Sequence, residues 1–375
     1  MNADKTANDA KEKVRKLQRT LYLASKANRK RRFHALYDKL YRSDVMTLAW
    51  TRVKENGGSA GVDKETIAYI VQEYGETRLI QECREQVEGR TYRPKPVQRR
   101  EIPKGDGKMR PLGIPTLRDR VVQMAAKLVL EPIFEADFSD CSFGFRPKRS
   151  AHDALRRIRE TFKRKKVFWV VDVDISGYFD NIPHEKLMKM VANRICDRRV
   201  LKLIRKWLTA GVMTEGEWQS TTLGSPQGGV ISPLLANLYL HYLDTIWNKQ
   251  FAHLGTLVRY ADDLVVLCHR KEEARKTIQI VKSVLQKLEL SMNNEKSKLV
   301  NLWEDREGFD FLGHHHRRWA YWARRGKVLY YLRSYPSRKA LKKMRSRIRE
   351  EFTSNHRLGW SLEDWIRKLN PIIQG

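Results

Sequence analysis

The sequence predicts a fold that mixes α-helices with β-strands, and three observations support this. Continuous apolar runs, VFWVV at 167–171 and LVVL at 264–267, are typical of buried strands. Helix signals are found at 116–131, where Thr116 can cap the first turn, and at 338–352. The 375 residues, 41% of them hydrophobic, are enough for one large or two to three ordinary domains, each with a core. A largely disordered chain is therefore excluded.

The charge of the chain is strongly positive and unevenly distributed. Its 74 Lys and Arg residues outnumber 44 Asp and Glu, which leaves a formal net charge of +30. A charge of this sign and size indicates a polyanionic partner, with nucleic acid as the first candidate. The basic residues are concentrated in 1–54 and 315–375, and the first of these segments contains the cluster Arg29, Lys30, Arg31 and Arg32.

The sequence predicts neither export nor insertion into a membrane. No apolar run approaches the roughly 20 residues that cross a bilayer, and the first residues lack the apolar core of a signal peptide. Cys83, Cys141, Cys196 and Cys268 lie far apart, without the spacing of a zinc or disulfide framework, and are interpreted as buried apolar side chains. We expect a cytoplasmic, nucleic-acid-associated protein with no membrane partner; the oligomeric state is not predicted.

Two adjacent carboxylates lie between apolar strands in the segment YADD at 260–263. This pattern is typical of a β-hairpin with Asp262 and Asp263 at its turn, where both side chains can meet a cation. Taken alone, it is equally compatible with an ordinary solvated turn, because Asp favours turns for its local hydrogen bonding.

A second acidic site makes the cation interpretation the better one. The predicted strand at 167–173 contains Asp172 near its end and is followed by Asp174. The spacing of two residues places both side chains on one face. Mg²⁺ takes oxygen ligands, and two such ions about 4 Å apart can activate an attacking hydroxyl and stabilise a leaving oxygen. In a basic protein, acids arranged in this way indicate nucleotidyl transfer.

The segment 99–110 reads independently as a β-hairpin. The residues GDG at 105–107 favour the turn, with Lys104 and Arg110 on the two arms. An arginine fork and a compact lysine charge are the usual ligands of a triphosphate, and Lys108 could share that role. The alternative is a basic hairpin that is merely solvated.

These motifs resemble those of reverse transcriptases. YADD at 260–263 is similar to their YxDD box, and DISGYFD at 174–180 to their first catalytic motif. Further blocks resemble the reverse transcriptase/maturase proteins encoded by bacterial group II introns, namely NGGSAGVD at 56–63, RPLGIP at 110–115, SFGFRP at 142–147, GSPQGGVISPL at 224–234 and FLG at 311–313.

The resemblance implies an α+β right-hand polymerase fold with fingers, a palm carrying an antiparallel sheet, a helical thumb and a basic helical N-terminal extension. It implies a basic extension and start of the fingers at 1–90, fingers and palm at 91–313, and an incomplete thumb or maturase region at 314–375, without a DNA-binding region or endonuclease. The implied function is RNA-directed DNA polymerase, which extends a DNA primer on an RNA template with dNTPs and two Mg²⁺ ions. The implied partner is group II intron RNA, bound to assist splicing and retrohoming.

The resemblance also implies roles for individual residues. Asp174, Asp262 and Asp263 would be the metal-binding catalytic acids, while Asp172, two residues too early, would be structural. Phe179 would exclude a ribose 2′-hydroxyl. The expected nucleotide-binding residues are Lys104, Arg110, Phe179, Gln227 and Lys296, and the expected RNA or template contacts are Arg29, Lys30, Arg31, Arg32, Arg146 and Arg149.

Two other functions remain open at this point. One is a splicing cofactor with an idle polymerase, which the intact acidic motifs disfavour. The other is a CRISPR-associated or other bacterial reverse transcriptase, which the block at 56–63 and the basic N-terminus disfavour. The run HHH at 314–316 is not expected to bind metal, because consecutive residues of a strand point to alternate faces.

Overall fold

The structure is a computed structural model that describes residues 2–103, 109–214, 217–220, 223–224, 228–303, 307–322, 328–353 and 359–374. The α-helices are α1 (Asn2–Ala27), α2 (Tyr37–Leu40), α3 (Ser43–Asn56), α4 (Ile67–Tyr69), α5 (Glu76–Glu88), α6 (Leu117–Glu135), α7 (Ala151–Arg164), α8 (His184–Ala192), α9 (Arg198–Leu208), α10 (Ser232–Ile246), α11 (Lys271–Lys287), α12 (Arg338–Thr353) and α13 (Leu362–Gln374). Short π-helical turns follow α4 and α10 at Ile70–Tyr74 and Trp247–Phe251, and Tyr178–Asn181 form a 3₁₀ turn.

The strands are β1 (Val97–Pro103), β2 (Met109–Ile114), β3 (Trp169–Val173), β4 (Val212–Thr214), β5 (Glu217–Gln219), β6 (Thr256–Tyr260), β7 (Asp263–Cys268), β8 (Lys298–Asn301), β9 (Gly308–Phe311), β10 (His314–Trp322) and β11 (Val328–Pro336). They form three sheets, ordered β2-β1-β4-β5, β6-β7-β3-β8 and β11-β10-β9. The predicted mixture of helices and strands is confirmed.

The central sheet, β6-β7-β3-β8, is antiparallel throughout. Strand β7 is exposed at Asp263 and buried over its other five residues, as expected for the apolar run at 264–267. One side of the sheet packs on α7 through a cluster that includes Val170, Val265 and Ile158. The acidic residues therefore lie at the end of strands whose remaining length is fixed by burial on both faces.

Helix α6 confirms the helix predicted at 116–131 and continues to Glu135. The Thr116 hydroxyl accepts a hydrogen bond from the Asp119 backbone N–H, which caps the first turn. Pro132 has no N–H for the Leu128 carbonyl, and that carbonyl instead accepts a hydrogen bond from Gln18 Nε2 at 2.9 Å. A contact from another helix thus satisfies the group that the proline leaves free.

The N-terminal segment is part of the core. Helix α1 packs against α3 and α6 and buries Val14 and Leu21, and the Ser25 hydroxyl donates to the Ile133 carbonyl. The loop after α1 is held by Arg194, which donates to the Asn28 carbonyl and to Arg29 and forms an ion pair with Asp137. The boundaries at 90 and 313 stay predictions.

The predicted basic hairpin has the expected arms, β1 and β2, paired antiparallel from Gln98↔Ile114 to Pro103↔Met109. Its proposed turn lies outside the described residues. In the described part of the chain, no helix is long and apolar enough to cross a membrane. Cys83, Cys141 and Cys268 are buried free thiols, as predicted, whereas Cys196 is only half-buried.

The region expected to be a helical thumb from residue 314 begins differently. Strands β10 and β11 pair along nine residues, from His314↔Pro336 to Trp322↔Val328, and helix α12 begins only at Arg338. Helices α12 and α13 then follow as expected, and α12 matches the helix predicted at 338–352. The aromatic residues of 314–336 favour strands over helices, which explains the difference.

Candidate active site

The Asp-Asp segment forms the turn that the sequence predicts. Tyr260 and Asp263 pair at the end of β6 and β7, with Ala261 and Asp262 between them. Ala261 has φ 55°, in the left-handed region that costs energy for a residue with a Cβ. Its carbonyl accepts a hydrogen bond from Arg259 Nη1 at 2.8 Å, which holds the turn in this conformation.

Arg259 anchors the turn from beneath, although it is completely buried. Its guanidinium donates two hydrogen bonds to Asp244, at 2.8 and 2.6 Å, and a third to the Asn237 side-chain oxygen at 3.0 Å. Asp244 is also fully buried. A buried ion pair is stable only when both partners are hydrogen-bonded as well as paired, and this pair meets that condition.

The loop that follows α6 packs directly on the same turn. The Phe143 N–H donates to the Arg259 carbonyl at 2.9 Å, and Asn237 Nδ2 donates to the Gly144 carbonyl at 2.7 Å. A Cβ at Gly144 would collide with the backbone nitrogen of Ala261, so the close approach requires glycine. The SFGFRP block therefore supports the Asp-Asp turn structurally.

Asp172 and Asp174 lie beside this turn. Asp172 pairs with Val265 in β7, and Asp174 follows the end of β3. The Asp174 N–H donates to Ser297 Oγ at 3.1 Å, and its carbonyl accepts from the Asn293 N–H at 2.9 Å, so the backbone that carries the carboxylate is fixed.

Negative charge accumulates at this end of the sheet. Burial first, and the charge of Asp263 next, raise the pKa of Asp172 to about 7, and Asp174 acts in the same direction. Among the described residues, no three His, Cys, Asp or Glu side chains converge closely enough to form a preassembled metal centre. Carboxylates that repel one another nevertheless suit Mg²⁺, because the ion neutralises their charge. Mg²⁺ keeps several waters and needs only one or two carboxylates besides substrate phosphates.

A cleft of about 1010 Å³ adjoins the acids. It brings together Phe179 and Lys296 with the ends of the basic hairpin at Pro103 and Leu112. The Lys296 ammonium lies 4.0 Å from Asp174 Oδ2, so a cation borders the acidic group on the cleft side. A cleft lined by a lysine that also contacts an acid suits a nucleoside triphosphate with its metal ions.

Phe179 is 7% exposed and its ring contacts that of Tyr178 edge-on, with 5.4 Å between the centroids. The Tyr178 hydroxyl donates to the Ala236 carbonyl at 2.5 Å, which fixes the 3₁₀ turn beside the cleft. Phe179 is therefore a rigid wall of the cleft, as an excluding side chain must be.

Three of the expected nucleotide-binding side chains lie outside what the structure describes. Lys104 and Gln227 are not among the described residues, and Arg110 is described only as backbone in β2. Near Gln227, a Cβ at Gly224 would meet the Asp180 backbone, and one at Gly228 would collide with the Gly113 carbonyl. The described neighbours of Gln227 thus approach both the 3₁₀ turn and the basic hairpin.

The expected template contacts Arg146 and Arg149 both make internal bonds, and Arg146 also lines a groove with Phe145 and Lys148. Arg146 is 6% exposed and donates to Glu135 at 2.7 Å and to the Ser142 carbonyl at 2.7 Å. Arg149 donates to the exposed Asp140 carboxylate at 2.6 Å. Their role in template binding stays a prediction, and the geometry gives Arg146 an architectural role.

The four basic residues at 29–32 lie in the exposed loop between α1 and α2. Arg31 stacks on the Phe33 ring at 5.2 Å and Arg32 donates to the Ala192 carbonyl at 3.1 Å, while most of each side chain faces solvent. An exposed basic loop on a fixed base is compatible with the predicted RNA contact.

Sequence reasoning missed the three residues that hold the Asp-Asp turn, Asn237, Asp244 and Arg259. A signal for two of them was present. Asn237 and Asp244 are polar residues seven apart in the apolar helix α10, a spacing that places both on one face. The partner of such a polar face is a long-range contact, which spacing does not identify.

Acids at the turn of an antiparallel sheet, beside a cleft with a lysine and a buried aromatic wall, are the arrangement expected of the catalytic domain of a nucleic-acid polymerase. The family described as "Reverse transcriptase (RNA-dependent DNA polymerase)" matches residues 102–316. The chain belongs to the reverse transcriptases, and the predicted enzyme class, RNA-directed DNA polymerase, is confirmed.

Relatives place it beside proteins of group II introns. Protein YkfC of Escherichia coli (strain K12) is 37% identical over 274 residues, which cover 63% of this chain and 70% of YkfC. The group II intron-encoded protein LtrA of Lactococcus lactis subsp. cremoris is 40% identical over 215 residues, 56% of this chain and 35% of LtrA. Nuclear intron maturase 2 of Arabidopsis thaliana, a mitochondrial protein, is 32% identical over 167 residues, 34% of this chain and 22% of that protein. The predicted resemblance to group II intron reverse transcriptase/maturases is confirmed.

Proposed function

We propose that this chain extends a DNA primer on an RNA template with dNTPs at the acidic end of the central sheet, and that it binds group II intron RNA to assist splicing and retrohoming. It would act as a cytoplasmic, nucleic-acid-associated protein. The observation that carries the proposal is the Asp262–Asp263 turn beside Asp174, together with Lys296, which contacts Asp174 and lines the cleft. The chain spans about a third of the length of LtrA. Splicing and retrohoming, as activities of a whole intron-encoded protein, are therefore proposed for this chain.

Asp174, Asp262 and Asp263 are the residues that would hold the metal. Reverse transcriptases generally use Mg²⁺. Two bound ions would activate the primer 3′-hydroxyl and stabilise the leaving pyrophosphate. The chain's contribution is to fix these acids: the buried Arg259–Asp244 pair sets the turn, and backbone bonds set Asp174.

The walls of the cleft supply orientation and selection. Lys296 lies where it can balance the charge of a triphosphate beside Asp174. Lys104, Arg110 and Gln227 would complete nucleotide binding. Phe179, buried and fixed, would leave no room for a ribose 2′-hydroxyl.

RNA binding is proposed from charge as well as from the relatives. The exposed loop at 29–32 and the basic C-terminal region give two cationic surfaces, and each phosphate neutralised releases about one counterion. Binding to intron RNA is therefore expected to be strong and sensitive to salt.

Replacing Asp262 tests the catalytic assignment. We expect Asp262→Ala to abolish primer extension on an RNA template, because the turn loses an oxygen ligand, and to leave RNA affinity within a few-fold. Asp9→Ala, an exposed acid on α1, is the control and should extend primers normally.

Retained primer extension by Asp262→Ala would overturn the assignment of this site. A splicing reaction with the intron RNA, run beside the extension assay, distinguishes the polymerase from the alternative function. Splicing without extension by the wild-type chain would indicate an RNA-binding cofactor with an idle polymerase.

A further inference from the structure

The β10–β11 hairpin has two faces of different character. On one face, which packs towards α7, His316 is fully buried and stacks on Phe309, and Leu332 contacts the cluster around α7. Arg318 is 4% exposed and its guanidinium lies 3.6 Å from the centroid of the Tyr330 ring. This face is buried around His316 and Arg318, while Tyr330 further along it is half exposed.

The opposite face, here called the outer face, is exposed. Cross-strand partners share a face of a sheet, and the register pairs His315 with Tyr335, Arg317 with Arg333, Trp319 with Tyr331 and Tyr321 with Leu329. Its aromatic side chains range from 38% exposed at Trp319 to 58% at Tyr321. Such a concentration of exposed aromatic rings on one surface indicates a binding site.

Arginines and rings alternate on the outer face and are already stacked. The Arg333 guanidinium lies 5.0 Å from the Trp319 ring and 5.9 Å from the Tyr335 ring, and Arg317 lies 5.5 Å from Trp319. Planar guanidinium groups held against rings lose little entropy when a further planar group is added. The surface is therefore preorganised for flat ligands.

Charge restricts the partner to an anion. Neither strand contains an acidic residue. The carboxylate bonded to the outer face is Asp310 of β9, which lies 2.6 Å from His315 Nδ1. An apolar protein partner would not require the two arginines, and a duplex would not present base faces to the rings.

The outer face begins near the cleft. Its last residue on β11, Tyr335, lies four residues before Lys339, which lines the cleft that contains Phe179. Nine-residue strands extend about 27 Å from there. A strand of nucleic acid that enters or leaves the cleft can reach this surface.

We infer that the outer face of the β10–β11 hairpin is a stacking platform for single-stranded RNA, on which unpaired bases lie against Trp319, Tyr331 and Tyr335 while Arg317 and Arg333 contact phosphates and base planes. Aromatic platforms with interspersed arginines bind single strands through base stacking in this way. The inference rests on the proposed function in that RNA is taken as the ligand.

The test compares Trp319→Ala with Tyr242→Ala in the full chain. Tyr242 lies on α10 and is equally exposed, at 38%, so it controls for the loss of a surface ring. Affinity is measured for a single-stranded RNA, for the same RNA made abasic, for duplex RNA and for single-stranded DNA, each across a salt series. We expect Trp319→Ala to weaken single-stranded RNA binding on the order of tenfold, with the salt slope unchanged.

The probes separate stacking from charge. The wild-type chain should bind the abasic strand at least as weakly as Trp319→Ala binds the intact RNA, because the abasic strand loses stacking on all three rings, and Tyr242→Ala should bind like wild type. Arg333→Lys keeps the positive charge but removes the planar guanidinium. It should lose most of the RNA affinity that Arg333→Ala loses. Circular dichroism and thermal melting show whether each variant is folded, and Trp319→Phe should restore binding.

Several outcomes would overturn the inference: unchanged affinity, an equal loss for duplex RNA, a loss seen only with DNA, or a variant that changes the oligomeric mass but not RNA binding. Primer extension by the wild-type chain on a pre-annealed substrate is measured separately. Failure there would remove the proposed polymerase function and leave the binding result unaffected.

Discussion

Arg259 and Arg333 are the same residue type in opposite surroundings, and they represent two regions of this protein. Arg259 has no exposed surface, and its donors are used by Asp244, Asn237 and the Ala261 carbonyl. Arg333 is exposed and stacks against Trp319 and Tyr335. The hydrogen-bond donors of Arg259 are used within the fold, whereas the guanidinium of Arg333 lies at the surface, where a partner can reach it.

The comparison shows that a high positive charge does not by itself mark binding residues. Arg146 and Arg194 are as buried as many apolar residues and make internal bonds. A buried cation, Arg259, fixes the acidic turn of the candidate site, and the proposed binding of polyanions uses the cations that remain at the surface.

The largest expected effect is in the buried network. Asp244→Ala should reduce the free energy of unfolding by about 3–5 kcal/mol, because it leaves the Arg259 charge buried without its partner. Urea unfolding measures this. The control is Glu185→Ala, which removes the carboxylate of an exposed two-bonded pair with Arg205 and should leave stability close to that of wild type. Equal losses in both variants would break the contrast between the two environments.

The next effect is the pH dependence of the hairpin's buried face. Burial, reinforced by the charges of His314, His315 and Arg159 and opposed by Asp310, lowers the pKa of His316 to about 4 from an ordinary value near 6.5. Below about pH 6.5 the unfolded chain binds a proton that the folded chain refuses, so stability should fall between pH 6.5 and pH 4, by about 3 kcal/mol in total.

Substitution of His316 checks that assignment. His316→Gln should flatten the pH profile of stability in this window, whereas His152→Gln, at an exposed position on α7, should leave it as in wild type. A profile for His316→Gln that keeps the full wild-type slope would assign the pH dependence to other groups.

A smaller effect is expected at the cleft wall. Phe179→Ala should reduce discrimination between dNTPs and rNTPs by about tenfold, because a hydroxyl then fits where the ring lay. The ratio of the two incorporation rates is measured within one preparation, so partial loss of folded enzyme does not affect it. Phe145→Ala, which lines the same cleft, controls for the loss of any ring, and equal discrimination in both variants would contradict the gate.

The smallest effect per residue is expected in the exposed loop. Replacing Arg29, Lys30, Arg31 and Arg32 with Gln should weaken intron RNA binding and lower its salt slope by about one unit for each phosphate that is no longer neutralised. Substitution is preferable to deleting residues 1–54, since α3 contributes the fully buried Met46 and Ala49 to the core.

The control for the loop replaces four exposed basic residues of α11 with Gln, namely Arg275, Lys276, Lys282 and Lys287. It removes the same charge from a different surface. If both sets lower the salt slope equally, the loop has no specific role and only the overall charge matters.

Features with local causes were predictable from the sequence. The cap at Thr116, the Asp-Asp turn and the two arms of the basic hairpin depend on residues close together in the chain, and the structure has all three. The acids could be recognised because a charged residue at the end of an apolar strand is costly unless it meets water, a partner or a cation.

Features that depend on long-range contacts were not predictable from the sequence. Nothing near Arg259 in the sequence marks it as buried, since its partner Asp244 lies on another element. In the segment SFGFRPKRS at 142–150, aromatic and basic residues are interleaved as in a nucleic-acid groove, yet Arg146 pairs with Glu135. The residues at 314–316 were expected in a strand, but the long pairing of 314–322 with 328–336 was not predicted, because the register between two strands depends on contacts between them.

The bond from Gln18 to the carbonyl left free by Pro132 has a consequence for synthesis. Helix α1 is synthesised before its partner carbonyls at Leu128 and Ile133, which follow more than a hundred residues later. Until then Val14 and Leu21 have no α6 to cover them, and the nascent chain carries an undocked amphipathic helix. Helix α1 can therefore dock only after α6 has been synthesised, so the interface between these two helices forms late.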